Sequence, residues 1–234
     1  MVIPVQDDIP TRIRPYVTWT LIAACVAAFT WEFTAGGTGF ERSVFALGVI
    51  PSVLLGSVSL PPDLAWVPPW ATVVTSMFLH GGLGHLLGNM LFLWIFGNNV
   101  EDAMGHLRFL AFYLLCGVAA VFAQVLPDPT SNLPMVGASG AISGVLGAYM
   151  LLYPRARVLL ALPPPFIFIT IGWFRAIWVL AGWFALQLLM GAGAGSPEGE
   201  AGGVAFGAHI GGFVAGVALI PLFKSADVPL FRRH

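Results

Sequence analysis

Long apolar stretches recur along the chain, and short polar or proline-marked stretches separate them. The first runs from about Tyr16 to Phe33, behind a polar segment that carries Asp7, Asp8, Arg12 and Arg14. The second begins at Val73 or Gly82 and ends near Phe96, where Gly97-Asn98-Asn99-Val100-Glu101-Asp102 reads as a connection. The third covers about Leu107 to Val125 and stops before Pro127-Asp128-Pro129. The fourth starts at or just before Ser139 and reaches Tyr153, with Arg155 and Arg157 behind it. Pro163-Pro164-Pro165 interrupts the next apolar run, so 158–173 is not read as one clean helix. The fifth stretch runs from about Arg175 to Met190, a Gly-rich loop fills 191–203, and the sixth runs from about Ala205 to Phe223. A spanning helix needs about 20 mostly apolar residues. The pattern therefore predicts an all-α membrane protein, a compact bundle of six transmembrane helices.

Composition strengthens that picture. Charged residues make up 9% of the chain, where soluble domains carry about 25%, and mean hydropathy is +0.87. Six spans leave no room for a separate soluble domain. The expected organisation is an N-terminal segment 1–15, a helical domain 16–223 and a tail 224–234. Ten Lys and Arg residues and a net charge of −1 give no surface for nucleic acid. Cys25 and Cys116 both fall inside apolar runs and read as packing residues. Ile22-Ala23-Ala24-Cys25 superficially matches a lipoprotein cleavage box, but the apolar run continues past it, so a retained first span is expected.

The connection 35–70 is too long for a simple turn. Its apolar clusters (Val44-Phe45-Ala46-Leu47, Val53-Leu54-Leu55) predict short helices, with Trp66 and Trp70 at headgroup level. Charge sets the orientation. With connections numbered alternately, Arg12, Arg14, Arg108, Arg155, Arg157, Arg175, Lys224, Arg232 and Arg233 fall on one side and only Arg42 on the other. Both termini are then expected in the cytoplasm. Ser139, His209, His80, His85 and Asn89 all come to the outer ends of their spans.

Polar groups at that depth must be satisfied by protein or line a wet cavity. Ser139 opens the fourth span within Gly137-Ala138-Ser139-Gly140-Ala141-Ile142-Ser143-Gly144. Gly140, Gly144 and Ala148 share one helical face, and Gly207, Gly211 and Ala215 form a matching face on the sixth span, with Gly212 and Gly216 one step round. Such small-residue faces permit close helix contact. Docked on them, spans four and six bring Ser139 and His209 within reach, a nucleophile and its general base. His85 and Asn89, four apart, share a face on span two. With the Ser139 N–H they can donate to a developing oxyanion. His80 does not share that face cleanly and reads as part of a surrounding oxyanion shell. Ser143, one turn deeper than Ser139, is the rival nucleophile. No His-Glu-x-x-His pair, Gly-x-Ser-x-Gly elbow or Gly-rich phosphate loop is present. No metal and no cofactor are expected.

Three motifs together resemble those of the rhomboid intramembrane serine proteases, in their bacterial six-span form: Phe78-Leu79-His80-Gly81-Gly82-Leu83-Gly84-His85-Leu86-Leu87-Gly88-Asn89, Gly137-Ala138-Ser139-Gly140, and Ala208-His209-Ile210-Gly211-Gly212. Order, spacing and span number match over about residues 15–223. The resemblance implies peptide-bond hydrolysis inside the membrane by a Ser139–His209 dyad without an acidic third member. It implies an oxyanion site at His85, Asn89 and the Ser139 N–H, and single-span membrane-protein substrates in the lipid bilayer. It also implies a membrane-embedded loop 35–70, a cap loop 191–203, structural glycines at 137, 140, 144 and 211, and a structural role for Glu101 at the close of span two. The chain departs from the family pattern twice. Trp70-Ala71 stands where some members have Trp-Arg, and Ser143 stands where an aromatic often stacks on the catalytic His, leaving open what orients His209. Two rival functions remain at this stage: a catalytically inactive rhomboid-like binder of membrane clients, and a small transporter. The intact Ser and His speak against the first, and the one-sided polar cluster against the second.

Overall fold

The computed structural model describes residues 2–162, 169–193 and 205–232. Helix α1 spans Tyr16–Thr34 and is followed by two short helices, α2 (Gly36–Leu47) and α3 (Pro51–Leu54), as the apolar clusters of the 35–70 connection predict. Helix α4 (Thr72–Thr75) leads through a short 3-10 turn to a break at residues 79–82. Helix α5 (Leu83–Phe92), a π-helical turn (Leu93–Gly97) and helix α6 (Asn98–Met104) then continue one another. Helix α7 covers His106–Val125, α8 Ser139–Leu152, α9 Ala176–Gly193 and α10 Phe206–Phe223.

Helices α1, α7 and α10 are long and apolar enough to cross a membrane, and the bent pair Pro69–Phe78 and Leu83–Met104, at 79°, can make a fourth crossing. The apolar helices α8 and α9 are shorter. Helix α8 sits at the centre: every residue from Gly140 to Tyr149 is buried. Its neighbours therefore shield it on all sides.

The sequence reading is corrected at Gly97–Asp102. That stretch is helical, and the chain turns only at Gly105, where φ is +79°. The polar residues that suggested a loop are matched by the N-terminal segment. Glu101, fully buried, accepts the N–H groups of Val17 and Thr18, the Thr18 hydroxyl and His106 Nδ1–H at 2.6–2.9 Å. It thereby caps the first turn of α1, where four amides lack intrahelical partners. Asp102 accepts the N–H groups of Arg12 and Ile13 and pairs with the Arg12 guanidinium.

A small sheet joins the helical bundle. Strands β1 (Ile3–Asp7), β2 (Arg157–Leu162) and β3 (Ile169–Arg175) pair antiparallel in the order β1-β2-β3. The apolar run after Arg157 is thus a hairpin, and its three prolines lie outside the described residues. The sheet and the C-terminal tail share one end of the bundle: Arg12 reaches Asp227, Ser225 N–H donates to Ala103 O, and Phe231 N–H donates to Leu151 O. Helices α5, α8 and α10 all begin at the opposite end.

Close helix packing builds that core. A methyl added at Gly212 would land on the carbonyl oxygen of Gly140, and one at Gly216 on that of Gly144. The face of α10 against α8 is therefore Gly212/Gly216. Gly207 and Gly211, which the sequence reading aimed at α8, instead meet Gln124, Ala123 and Ala120 of α7. The two glycine pairs thus dock α10 on α8 and α7 at once. Cys116 lies against Gly144, and both cysteines are buried free thiols in the helices.

Candidate active site

Ser139 is the first residue of α8, and the loop before it is tied down on both sides. Gly137 N–H donates to Ser76 O at 2.8 Å, and Val49 and Met135 exchange backbone bonds at 3.0 and 2.7 Å. Gly137 has φ +132°, a conformation that side chains rarely adopt. A Cβ there would lie 2.9 Å from His85 Nε2 and 3.6 Å from Ser139 Oγ. A side chain there would collide with the imidazole of His85, so glycine lets that ring lie against the backbone next to the hydroxyl of Ser139.

His209 sits in the first turn of α10, which α7 anchors: Gln124 Oε1 accepts the Ala208 N–H at 3.2 Å. The close α8–α10 packing then brings the two chemical groups together. Ser139 Oγ lies 2.8 Å from His209 Nε2, across 70 residues of sequence. On its far side His209 Nδ1 lies 2.7 Å from Oε1 of Gln187, a buried residue of α9. Trp183, also on α9, places its ring 5.9 Å from the imidazole at 38°, and Phe206 meets it edge-on at 6.4 Å. What orients His209 is therefore supplied by α9 and α10.

Ser143 is buried, and its hydroxyl donates to Ser139 O at 2.6 Å. A hydroxyl bonded back into its own helix is a packing feature, and it points away from the role of rival nucleophile. Asn89 is buried on α5, and its Nδ2 has no hydrogen-bond partner among the described residues. An unmatched buried donor calls for an acceptor. His85 packs edge-on against His80 at 5.3 Å. His80 itself is fully buried behind it, with Nδ1–H on Phe78 O at 3.2 Å.

Two site residues were not singled out from the sequence. Gln187 is a lone amide in an apolar span, and such residues bond across helices; that was the available signal. Glu32 lies near the end of the first apolar stretch, where a single carboxylate gives no sign of a partner. It is fully buried and accepts the His80 backbone N–H at 3.4 Å, which ties α1 to the segment preceding α5. The 191–203 loop contributes its first residues to the end of α9; the remainder, 194–203, lies outside the described residues, and so does its expected role as a cap.

This geometry is a helical membrane bundle with a serine hydroxyl on an imidazole at one end. Residues 68–226 match the family model described as the Rhomboid domain, and the chain belongs to the rhomboid family. It is 30% identical over 186 residues to Rhomboid protein 1, mitochondrial, of Saccharomyces cerevisiae, covering 76% of this chain and 49% of that protein. It is 32% identical over 137 residues to Rhomboid protease GluP of Bacillus subtilis, covering 58% of this chain and 24% of that protein. It is 39% identical over 84 residues to Rhomboid-like protein 11, chloroplastic, of Arabidopsis thaliana, covering 36% of this chain and 30% of that protein. The matched regions thus span half or less of each of these relatives. Family and apolar helices together make this a multi-pass membrane protein.

Proposed function

We propose that the protein is a serine endopeptidase that hydrolyses peptide bonds in or near transmembrane segments of membrane proteins. The observation that carries the reading is the 2.8 Å contact between Ser139 Oγ and His209 Nε2. In this mechanism Ser139 O–H donates to Nε2, and Oγ attacks the scissile carbonyl carbon as the proton passes to the imidazole. The carbonyl π electrons move onto oxygen. That oxyanion takes hydrogen bonds from the Ser139 N–H at the start of α8, from Asn89 Nδ2 and from His85. The imidazolium returns the proton to the leaving amine as the C–N bond breaks. Water, deprotonated by His209, then releases the acyl group from Ser139.

The unmatched Nδ2 of Asn89 and the close approach of the His85 ring to Gly137, beside the Ser139 hydroxyl, support this oxyanion assignment. The substrate is a single-span helix that unwinds where Gly, Ala, Ser or Pro weaken it, because a peptide bond inside a stable helix is closed to attack. The basic-residue asymmetry supports cytoplasmic termini and a site opening to the outer side of the membrane. The placement in a bacterial inner membrane, with flanking segments 1–15 and 224–234 around a protease domain 16–223, rests on the resemblance to the bacterial six-span form.

The test is covalent labelling of detergent-purified protein by a serine-directed fluorophosphonate. Labelling is expected in the wild type and in Ser143→Ala, and is lost in Ser139→Ala. Labelling that persists in Ser139→Ala contradicts the assignment, and no labelling of active-site serine in any form favours a binder of membrane clients.

A further inference from the structure

We propose that Gln187 is a positioning residue for this reaction, a neutral third group that fixes the tautomer and orientation of His209. The proposal rests on the reading of Ser139 as nucleophile and His209 as base. Its geometry is independent of theirs. Gln187 belongs to α9, not to either helix that carries the dyad, and its Oε1 lies 2.7 Å from His209 Nδ1.

The bond has a direction. An amide oxygen carries no hydrogen and can only accept, so Nδ1 must be the protonated ring nitrogen. Nε2 is then the nitrogen with a free lone pair, and Nε2 is the atom that faces Ser139 Oγ at 2.8 Å. The other neutral tautomer would present an N–H to the hydroxyl and could not take its proton. Gln187 therefore selects the one form of the neutral ring that works as a base.

Its surroundings hold it to that task. Gln187 is 7% exposed, so water does not compete freely for its carbonyl. Trp183, one turn earlier on α9, lies along the imidazole face, and Phe206 closes the edge. Position 143 offers no help, since its hydroxyl is bonded to Ser139 O. Ring, hydroxyl and amide thus form one line, Ser139–His209–Gln187, drawn from three helices. When His209 takes up the proton, Nδ1–H stays on the same carbonyl dipole, which strengthens as a charge-assisted bond. Gln187 itself neither gains nor loses a proton. A neutral acceptor suits this depth, and a glutamic acid in its place would be kept protonated by burial and would accept through its carbonyl oxygen.

The experiment compares wild type, Gln187→Leu, Gln187→Met, Gln187→Glu and Ser139→Ala in proteoliposomes with a co-reconstituted single-span substrate. Thermal unfolding of each variant is measured alongside. Gln187→Leu and Gln187→Met keep the bulk of the side chain and remove the acceptor. They are expected to lower kcat by about 10- to 100-fold with KM within about twofold. The rate of fluorophosphonate labelling falls in step. Gln187→Glu retains an oxygen acceptor at the same reach and restores kcat to within about fivefold of wild type. The proposal is overturned if both apolar variants cleave at the wild-type rate. It is also overturned if Gln187→Glu is as impaired as they are, since side-chain shape rather than the acceptor would then matter, or if lost activity simply follows lost folded protein. Cleavage by Ser139→Ala would instead overturn the dyad, and so separates failure of that reading from failure of this one.

Discussion

A single methyl at Gly212 tests whether the helix contact places the chemistry. In Gly212→Ala the new carbon would land on the carbonyl oxygen of Gly140, a backbone atom in the first turn of α8 that cannot rotate away. An ordinary carbon–oxygen contact needs about 3.3 Å, so α8 and α10 must part by roughly 1 Å. Gly140 adjoins Ser139, and Gly212 lies one turn from His209, so the separation passes directly to the reacting pair. Adding roughly 1 Å to the 2.8 Å contact takes it beyond hydrogen-bond range. A misplacement of that size can cost about 100-fold in rate, and overpacking a close contact costs about 1–3 kcal/mol of stability. The expected outcome is therefore about a 100-fold loss of substrate cleavage in proteoliposomes, with a lowered unfolding midpoint but a folded protein. Gly182→Ala on α9 is the control: a Cβ there meets nothing within 4 Å, and cleavage should stay at the wild-type level. Gly212→Ala activity within twofold of wild type would refute the claim that α8–α10 packing sets the dyad distance.

Three further outcomes follow from other parts of the molecule. Asn89→Ala removes a buried unmatched donor and should lower kcat by about 100-fold with little change in unfolding midpoint, read by substrate cleavage and calorimetry. Glu101→Ala strips α1 of its buried cap and should cost about 3 kcal/mol by chemical unfolding in micelles. Asp7, where Tyr149 O–H and Asn99 Nδ2 both donate to Oδ2, is pushed up from 3.8 to about 6, chiefly by burial. The folded state binds its proton more tightly than the unfolded chain. The resulting stabilisation is full below about pH 4 and lost as pH rises through about 6, up to roughly 3 kcal/mol. Asp7→Asn should flatten that part of the stability–pH curve; an unchanged slope would refute it.

The sequence alone carried most of the helical frame because apolar length is a direct signal in a membrane protein. The helices at Tyr16–Thr34, Ser139–Leu152 and Phe206–Phe223 begin and end within a residue or two of where hydropathy places them. Asn98–Met104 did not read as helix because local composition suggested a turn. Its side chains are satisfied by Asp7, Arg12 and Thr18, about 80–90 residues away. The β2–β3 hairpin was hidden for a related reason: short apolar runs do not distinguish strand from helix. Ser139 and His209 were legible as candidates through the small residues around them. The docking faces were not, since Gly207/Gly211 and Gly212/Gly216 have the same spacing, and only packing shows which pair meets α7 and which meets α8. Gln187 was missed because an isolated amide in an apolar span names no partner.

Peptide-bond cleavage in a reconstituted bilayer bears most directly on the account. Wild type, Ser139→Ala and His209→Ala are placed in liposomes with a tagged single-span substrate whose outer end carries Gly and Ala, and the products are mapped by mass spectrometry. One cleavage within or beside the span is expected for the wild type and none for either variant. Equal cleavage by Ser139→Ala, or an intact substrate with folded wild type across a panel of such helices, would contradict it.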